Sequence, residues 1–381
     1  MVTVTIEQLV QQLLPKSGIP KKYWRYLRRR GAHIRVLDRL RQDVSLGQVI
    51  KPGGGQRNWE LVGQFYRNIG RPHQALLVYR SLYERMIEGQ SAAKSRQHKG
   101  MPLVWIADLY REVGYPVHAR RYAMLTLIED AIREKGKINP EEGGIYFRLA
   151  WQFAMSDKEI QRYARDAYQI HKRLGKDSWF PERILLEFDN HWMVDTPAPM
   201  ELFHYVINPH FVQYQLKKLG GSQGRELEIL AQYLLSSIPG FRTYPRRKTP
   251  STDYDVVSTI EGLATDFRHE LGRYIVCECK DWAKKVDFGT IAKFSRVLDA
   301  AKCKAGILFS RRGITGEERT TAASRERLKV YQDRGMVILS LNLADLQRVA
   351  RRENLITLLR ARYEAVRLDT GSTTKKRKLD L

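Results

Sequence analysis

Two fold classes share this chain: an all-α, helical-repeat N-terminal part and an α/β C-terminal part built on a mixed sheet. Three observations predict them. Small and apolar residues recur at helix–turn–helix offsets between residues 57 and 175, β-rich runs alternating with helical patterns begin at Arg225, and an aperiodic stretch rich in Pro and aromatics separates the two. The expected segments are a basic helical segment 1–56, repeats 57–175, a connection 176–223, the α/β domain 224–368 and a basic tail 369–381.

The first segment reads as two helices, Ile6–Leu14 and Tyr23–Leu40, parted by a Gly- and Pro-containing break at Lys16–Pro20. Basic and aromatic residues interleave from Lys21 to Arg30. That composition suits phosphate contact with stacking, and it equally suits a helix that buries Trp24, Leu27 and Val36 while its arginines face water.

In the repeats, Trp59, Val62, Gly63, Tyr66, Gly70, Ala75 and Tyr79 are echoed by Leu103, Ile106, Ala107, Tyr110, Gly114, Ala119 and Ala123. A weaker third copy places Trp151, Ala164 and Tyr168 at corresponding offsets. The pattern resembles the tetratricopeptide repeat, with an aromatic, a small residue, a Tyr, a turn glycine and a later Ala. Gly70 and Gly114 stand further apart than the roughly 34 residues of that repeat, which the polar run Gly89–Gly100 accounts for as an inserted connector; a generic α-solenoid is the alternative. Such arrays bind peptides, protein partners or another copy of the chain. His73, His98 and His118 are too scattered for a metal set. The connection is expected to pack between the halves, with its flexible point at Leu219–Gly224.

From Arg225 the expected order is a helix Arg225–Ser236, strands at Phe241–Tyr244, Tyr254–Ile260 and Tyr274–Lys280, a helix Phe288–Ala301, a strand Ala305–Ser310, a helix Glu317–Arg334, a strand Met336–Leu341 and a helical region Ala344–Val366. A meander followed by strand–helix alternation gives a mixed sheet covered on both faces. Alternation along Tyr274–Lys280 places Glu278 and Lys280 on one face and Cys277 and Cys279 on the other. An adjacent antiparallel strand would bring Asp255 beside Glu278. Two carboxylates with an amine at their edge have the geometry of a divalent-metal site.

Charge narrows the partners. With 66 basic against 42 acidic residues, a net charge of +24 and a pI near 9.9, the chain points to a polyanion, nucleic acid first. No apolar run approaches the roughly 18 residues of a spanning helix, so no membrane role is expected. Three cysteines do not make a disulfide framework, and no secretory signal opens the chain, which together predict an intracellular, cytoplasmic setting.

Glu228 on the first helix, Asp255, and Glu278-Cys279-Lys280 resemble the PD-(D/E)XK nucleases of the restriction-endonuclease-like fold, most closely the Mrr type. Gly224-Arg-Glu-Leu-Glu228, Lys280-Asp-Trp282 and Gly306-Ile-Leu-Phe-Ser310 are this chain's versions of further family features, and the resemblance spans about Gly224 to Val349. It implies an αβββαβ core and a metal-dependent endonuclease acting on DNA rather than RNA, with a role in restriction or anti-phage defence. It also implies that Asp255, Glu278 and the Cys279 carbonyl bind Mg²⁺ or Mn²⁺, that Lys280 orients or deprotonates the attacking water or binds the scissile phosphate, and that Glu228 reaches the metal through a water or is simply an exposed helix acid.

The family's usual Pro before the strand acid is replaced by Thr252-Asp-Tyr-Asp255, leaving Asp253 as a second candidate beside the favoured Asp255. Asp266 and Glu270 read as loop acids. Arg246, Arg247, Lys248, Arg311 and Arg312 flank the strands as phosphate contacts, and Lys293 reads as lining the phosphate path or as a solvated face residue. Two chains could pair as a homodimer. An idle nucleic-acid-binding adaptor and an RNA nuclease are the other readings. The tail Thr374–Leu381 reads as a nuclear localisation patch in a eukaryote, a phosphate-binding tail or an engineered end.

Overall fold

A computed structural model describes residues 72–139, 148–188, 205–221, 224–248, 253–260, 267–315 and 332–368, with isolated positions at 63, 64, 66, 67, 145 and 330. The helices expected before residue 57, Asp266, most of Glu317–Arg334 and the basic tail lie outside the described residues. The chain forms two compact units, Met1–Glu187 and Phe188–Leu381.

The first unit is helical in its described residues. Helices α1 (Pro72–Ala93), α2 (Gly100–Glu112), α3 (Pro116–Arg133) and α4 (Asp157–Leu174) pack each on the next, and a short α5 (Pro181–Leu185) lies against α3 and α4. Gly114, at φ +84°, makes the tight turn from α2, and Pro116 opens α3 at a position where a missing N–H costs nothing. Leu103, Ile106, Ala107, Tyr110, Ala119 and Ala123 are all buried, so the second expected hairpin is present. In the first, a Cβ on Gly63 would lie 2.3 Å from the Tyr79 ring, which is why a glycine stands there. In the third, Ala164 is buried, and the backbone of Trp151 lies in a π-helical turn, Arg148–Gln152.

The polar run Gly89–Gly100 differs from its reading as an inserted connector. Helix α1 continues to Ala93, and Gln90, Gln97 and Lys99 are buried. Lys99 Nζ donates to Gln90 Oε1 at 3.0 Å and to the Gln97 carbonyl at 2.8 Å, and lies 3.2 Å from Glu129 of α3. Composition marks such a run as surface; here Lys99 and Gln90 are paired inside, while Gln97 Nε2 is buried without a hydrogen-bond partner.

Among the described residues of the second unit the first helices are α6 (Pro209–Lys217) and α7 (Arg225–Ser236). Strands β1 (Phe241–Tyr244), β4 (Val256–Ile260) and β5 (Tyr274–Lys280) form an antiparallel meander, with a two-stranded ribbon of β2 (Arg247–Lys248) and β3 (Asp253–Tyr254) between β1 and β4 in sequence. Helix α8 (Phe288–Ala300) then leads to β6 (Ala305–Ser310), and β7 (Val337–Asn342) follows; both strands are parallel to β5, giving the order β1-β4-β5-β6-β7. Every residue of β6 is buried, as a central strand covered on both faces requires. Ile291, Phe294 and Leu298 of α8 cover the face formed by Val276, Leu308 and Ile338.

The expected helical region Ala344–Val366 is two helices, α9 (Leu343–Ala350) and α10 (Leu355–Arg367). Asn354 ends the continuity by capping α10, accepting from the Ile356 N–H at 2.8 Å. Helix α6 packs on α7 and α9, so this part of the Pro-rich connection belongs to the second unit.

Candidate active site

Side-chain alternation along β5 sets Glu278 and Lys280 on the face of Val276 and turns Cys277 and Cys279 to the other face. Both thiols are free and buried, and burial together with the nearby Asp255 carboxylate pushes them well above the ordinary thiol range, so they are neutral packing groups. The antiparallel register pairs Val256 with Cys277, and one further step places Asp255 opposite Glu278. Asp255 stands at a bend between β3 and β4, where its carboxylate accepts the Cys279 N–H at 2.7 Å. The N–H and C=O of one strand residue face the same antiparallel neighbour. The Cys279 carbonyl is therefore aimed at the Asp255 edge too.

Glu278 and Lys280 form an ion pair, each side chain 20% exposed. Burial raises the Glu278 carboxyl above its usual range, Lys280 and Lys293 oppose the shift, and Asp255 adds to it. Glu228, in the first turn of α7, is raised by burial and then by Asp255 and Asp253, with Arg246, 3.8 Å away, opposing. Glu228, Asp255, Glu278, Lys280 and Lys293 thus share one electrostatic neighbourhood. Asp253 pairs at 2.8 Å with Arg246, the same arginine that lies 3.8 Å from Glu228.

Arg312 and Lys293 are exposed. Arg311 is tied down, its Nε 2.9 Å from Asp281 and donating to the Trp282 carbonyl at 3.3 Å. Arg247 and Lys248 form β2, but their side chains lie outside the described residues. Glu270 is bound to Tyr363 and Arg367 of α10. Among the described residues no three His, Cys, Asp or Glu side chains stand close enough together to hold a metal. The donor set itself, carboxylate and carbonyl oxygens, fits a hard divalent cation, and burial is the main reason the Glu228 and Glu278 carboxyls are raised.

Residues 220–339 match the restriction endonuclease family Mrr_cat. The matched region runs from just after α6 through α7 and the sheet into β7, and apart from Arg367 it contains the charged side chains described around β5. No curated protein and no solved structure matches the chain. The five-stranded mixed sheet with its flanking helices fits the restriction-endonuclease-like fold, and the domain is of a nuclease type whose substrate is nucleic acid. Among the described residues no helix is long and apolar enough to cross a membrane.

The sequence names Asp281 only within Lys280-Asp-Trp282 and Gly220 only within a flexible point, with no role for either. Asp281 is 2% exposed and, besides its pair with Arg311, accepts the Gly220 N–H at 2.6 Å. Its only signal in the sequence is that it directly follows Lys280. An acid at that place reads as solvated until the arginine after β6 is known to fold onto it.

Proposed function

We propose that the restriction-endonuclease domain is a metal-dependent endonuclease that hydrolyses phosphodiester bonds in DNA. The observation that carries this reading is the convergence of Asp255, Glu278 and Lys280 at one end of the β4–β5 pair, inside the matched region. Asp255, Glu278 and the Cys279 carbonyl would hold Mg²⁺ or Mn²⁺, and Glu228 would reach it through a water. Once bound, the ion supplies positive charge that acidifies the attacking water and offsets charge on the phosphoryl oxygens.

The chain's own groups do the rest. Glu278 is paired to Lys280 through Oε1, so its other oxygen would be available to hold the ion, and Lys280 would bind the scissile phosphate or hold the attacking water. The water oxygen bonds to phosphorus as its proton passes to a base at the site, and the bond to the leaving oxygen breaks as that oxygen takes a proton from solvent water, giving a phosphomonoester and a hydroxyl. Lys293, Arg246, Arg247, Lys248, Arg312 and the remaining reach of Arg311 hold flanking phosphates without reading sequence. The helical unit serves sensing, partner binding or self-association, and restriction or anti-phage defence is the role such an enzyme would fill.

The test is incubation of plasmid, single-stranded DNA and RNA with the full-length protein in Mg²⁺, Mn²⁺ or EDTA, alongside Glu278→Ala and Lys280→Ala. DNA cleavage that needs the metal and is lost in both variants, with binding largely kept, is expected. Cleavage surviving both substitutions sinks the assigned site, cleavage of RNA alone reassigns the substrate, and binding without cleavage in every metal leaves a nucleic-acid-binding adaptor.

A further inference from the structure

We propose that Trp282 is a stacking platform that receives one unstacked nucleobase of the substrate strand, next to the phosphate held by Lys280. The inference rests on the nuclease reading for the role of Lys280, and on three observations of its own. Trp282 is 36% exposed, one of four large apolar residues among the described residues of this unit that stand outside the core, with Tyr274, Phe288 and Leu368. Two ammonium groups lie over the ring and would take phosphates once a base displaces them from its face: Lys280 Nζ is 5.3 Å and Lys284 Nζ 5.7 Å from its centroid. And the backbone that presents it is clamped, because Asp281 is buried against Arg311 and the Gly220 N–H, while Arg311 Nε also holds the Trp282 carbonyl.

A large aromatic fixed outward and bordered by cations is the arrangement that binds a strand as base plus backbone: the ring takes the π-face of a base and the cations take its phosphates. Lys280 belongs to both sets of contacts, since it pairs with Glu278 and also borders the ring. A phosphate on Lys280 therefore brings the base or sugar of its own nucleotide to Trp282. A base stacked within a duplex cannot offer its face to a side chain. The platform accordingly selects a strand that is single, frayed or unpaired at that nucleotide.

The experiment measures binding by the full-length protein in EDTA, using single-stranded oligonucleotides with 2-aminopurine or an abasic residue at successive positions. For the wild type, one abasic position should weaken binding by about 5- to 150-fold, the range of one base–aromatic stack, and 2-aminopurine at that position should be quenched. Trp282→Ala should remove both the positional penalty and the quench, while Trp282→Phe keeps most of each; thermal melts of both variants control for folding. A flat abasic scan in the wild type, or no measurable binding to single strands, overturns the inference, and this arm decides even if Trp282→Ala does not fold. Because binding is read without metal, the two ideas fail separately. A positional scan without cleavage in any metal removes the nuclease reading alone, and cleavage with a flat scan removes the platform alone.

Discussion

Gly220 and Gly224 both hold a φ of +92°, where an L side chain is strained, yet their surroundings differ. A Cβ on Gly224 meets open space, whereas on Gly220 it would lie 2.5 Å from Arg311 Nη1, a side chain already committed to Asp281. Gly220→Ala should therefore cost about 1–3 kcal/mol from the backbone and loosen the clamp behind Trp282, while Gly224→Ala costs the backbone part alone. Urea denaturation of the two variants checks the order, and equal losses would show that the Arg311 approach does not matter. The sequence makes these glycines visible but not what comes close to them, so the cluster reads as a flexible point although Gly220 is hydrogen-bonded in place. The pair Asp253 and Asp255 shows the same limit. Spacing leaves both as candidates and cannot show that Asp255 accepts the Cys279 N–H while Asp253 pairs with Arg246, contacts that exist only in the folded register.

At the scale of elements the second unit was far more legible, because its strands are short apolar runs ended by turn chemistry. Phe241–Tyr244, Tyr274–Lys280 and Ala305–Ser310 fall where their residues predict, and the order αβββαβ follows from them. The helix before β6 has its start written in Asp287, which accepts the Thr290 N–H at 2.9 Å. The break between α9 and α10 was missed since Asn354 sits amid charged residues within a continuing helical period; only its cap geometry marks a new start. Asn354→Ala should destabilise by about 1 kcal/mol. A sharper test of the layer packing is Gly306, whose absent Cβ leaves room for α8: a methyl there would lie 2.7 Å from both Phe294 and Leu298. Gly306→Ala should cost about 1–3 kcal/mol by overpacking, read in the same denaturation assay, and a neutral result would mean that α8 moves off the sheet freely.

Over the whole molecule a net charge of +24 counts charges without saying where they are. Some of them are inside. Lys99 and Glu129 are completely buried, Arg96 Nη2 lies 2.7 Å from the same carboxylate, and the Lys99 N–H donates to it at 2.9 Å. Burial alone would raise the Glu129 carboxyl, but Lys99, Arg96 and that backbone N–H together hold it below the ordinary carboxylate range. A carboxyl whose folded pKa is depressed stabilises the fold above its unfolded value, about 4.3, and this contribution disappears as the pH falls through the folded value. The stability of the full chain should therefore drop as the pH is lowered below that point, and part of the drop should belong to Glu129. Glu129→Gln leaves Lys99 buried without its counter-charge and should cost about 3–5 kcal/mol at neutral pH. In exchange, the variant should lose less further stability on acidification than the wild type does. Urea midpoints followed by far-ultraviolet circular dichroism between neutral pH and about pH 3.5, a window set by that carboxylate value, measure both effects. Parallel curves for the two proteins would show that this carboxylate does not carry the acid sensitivity, however deeply it is buried.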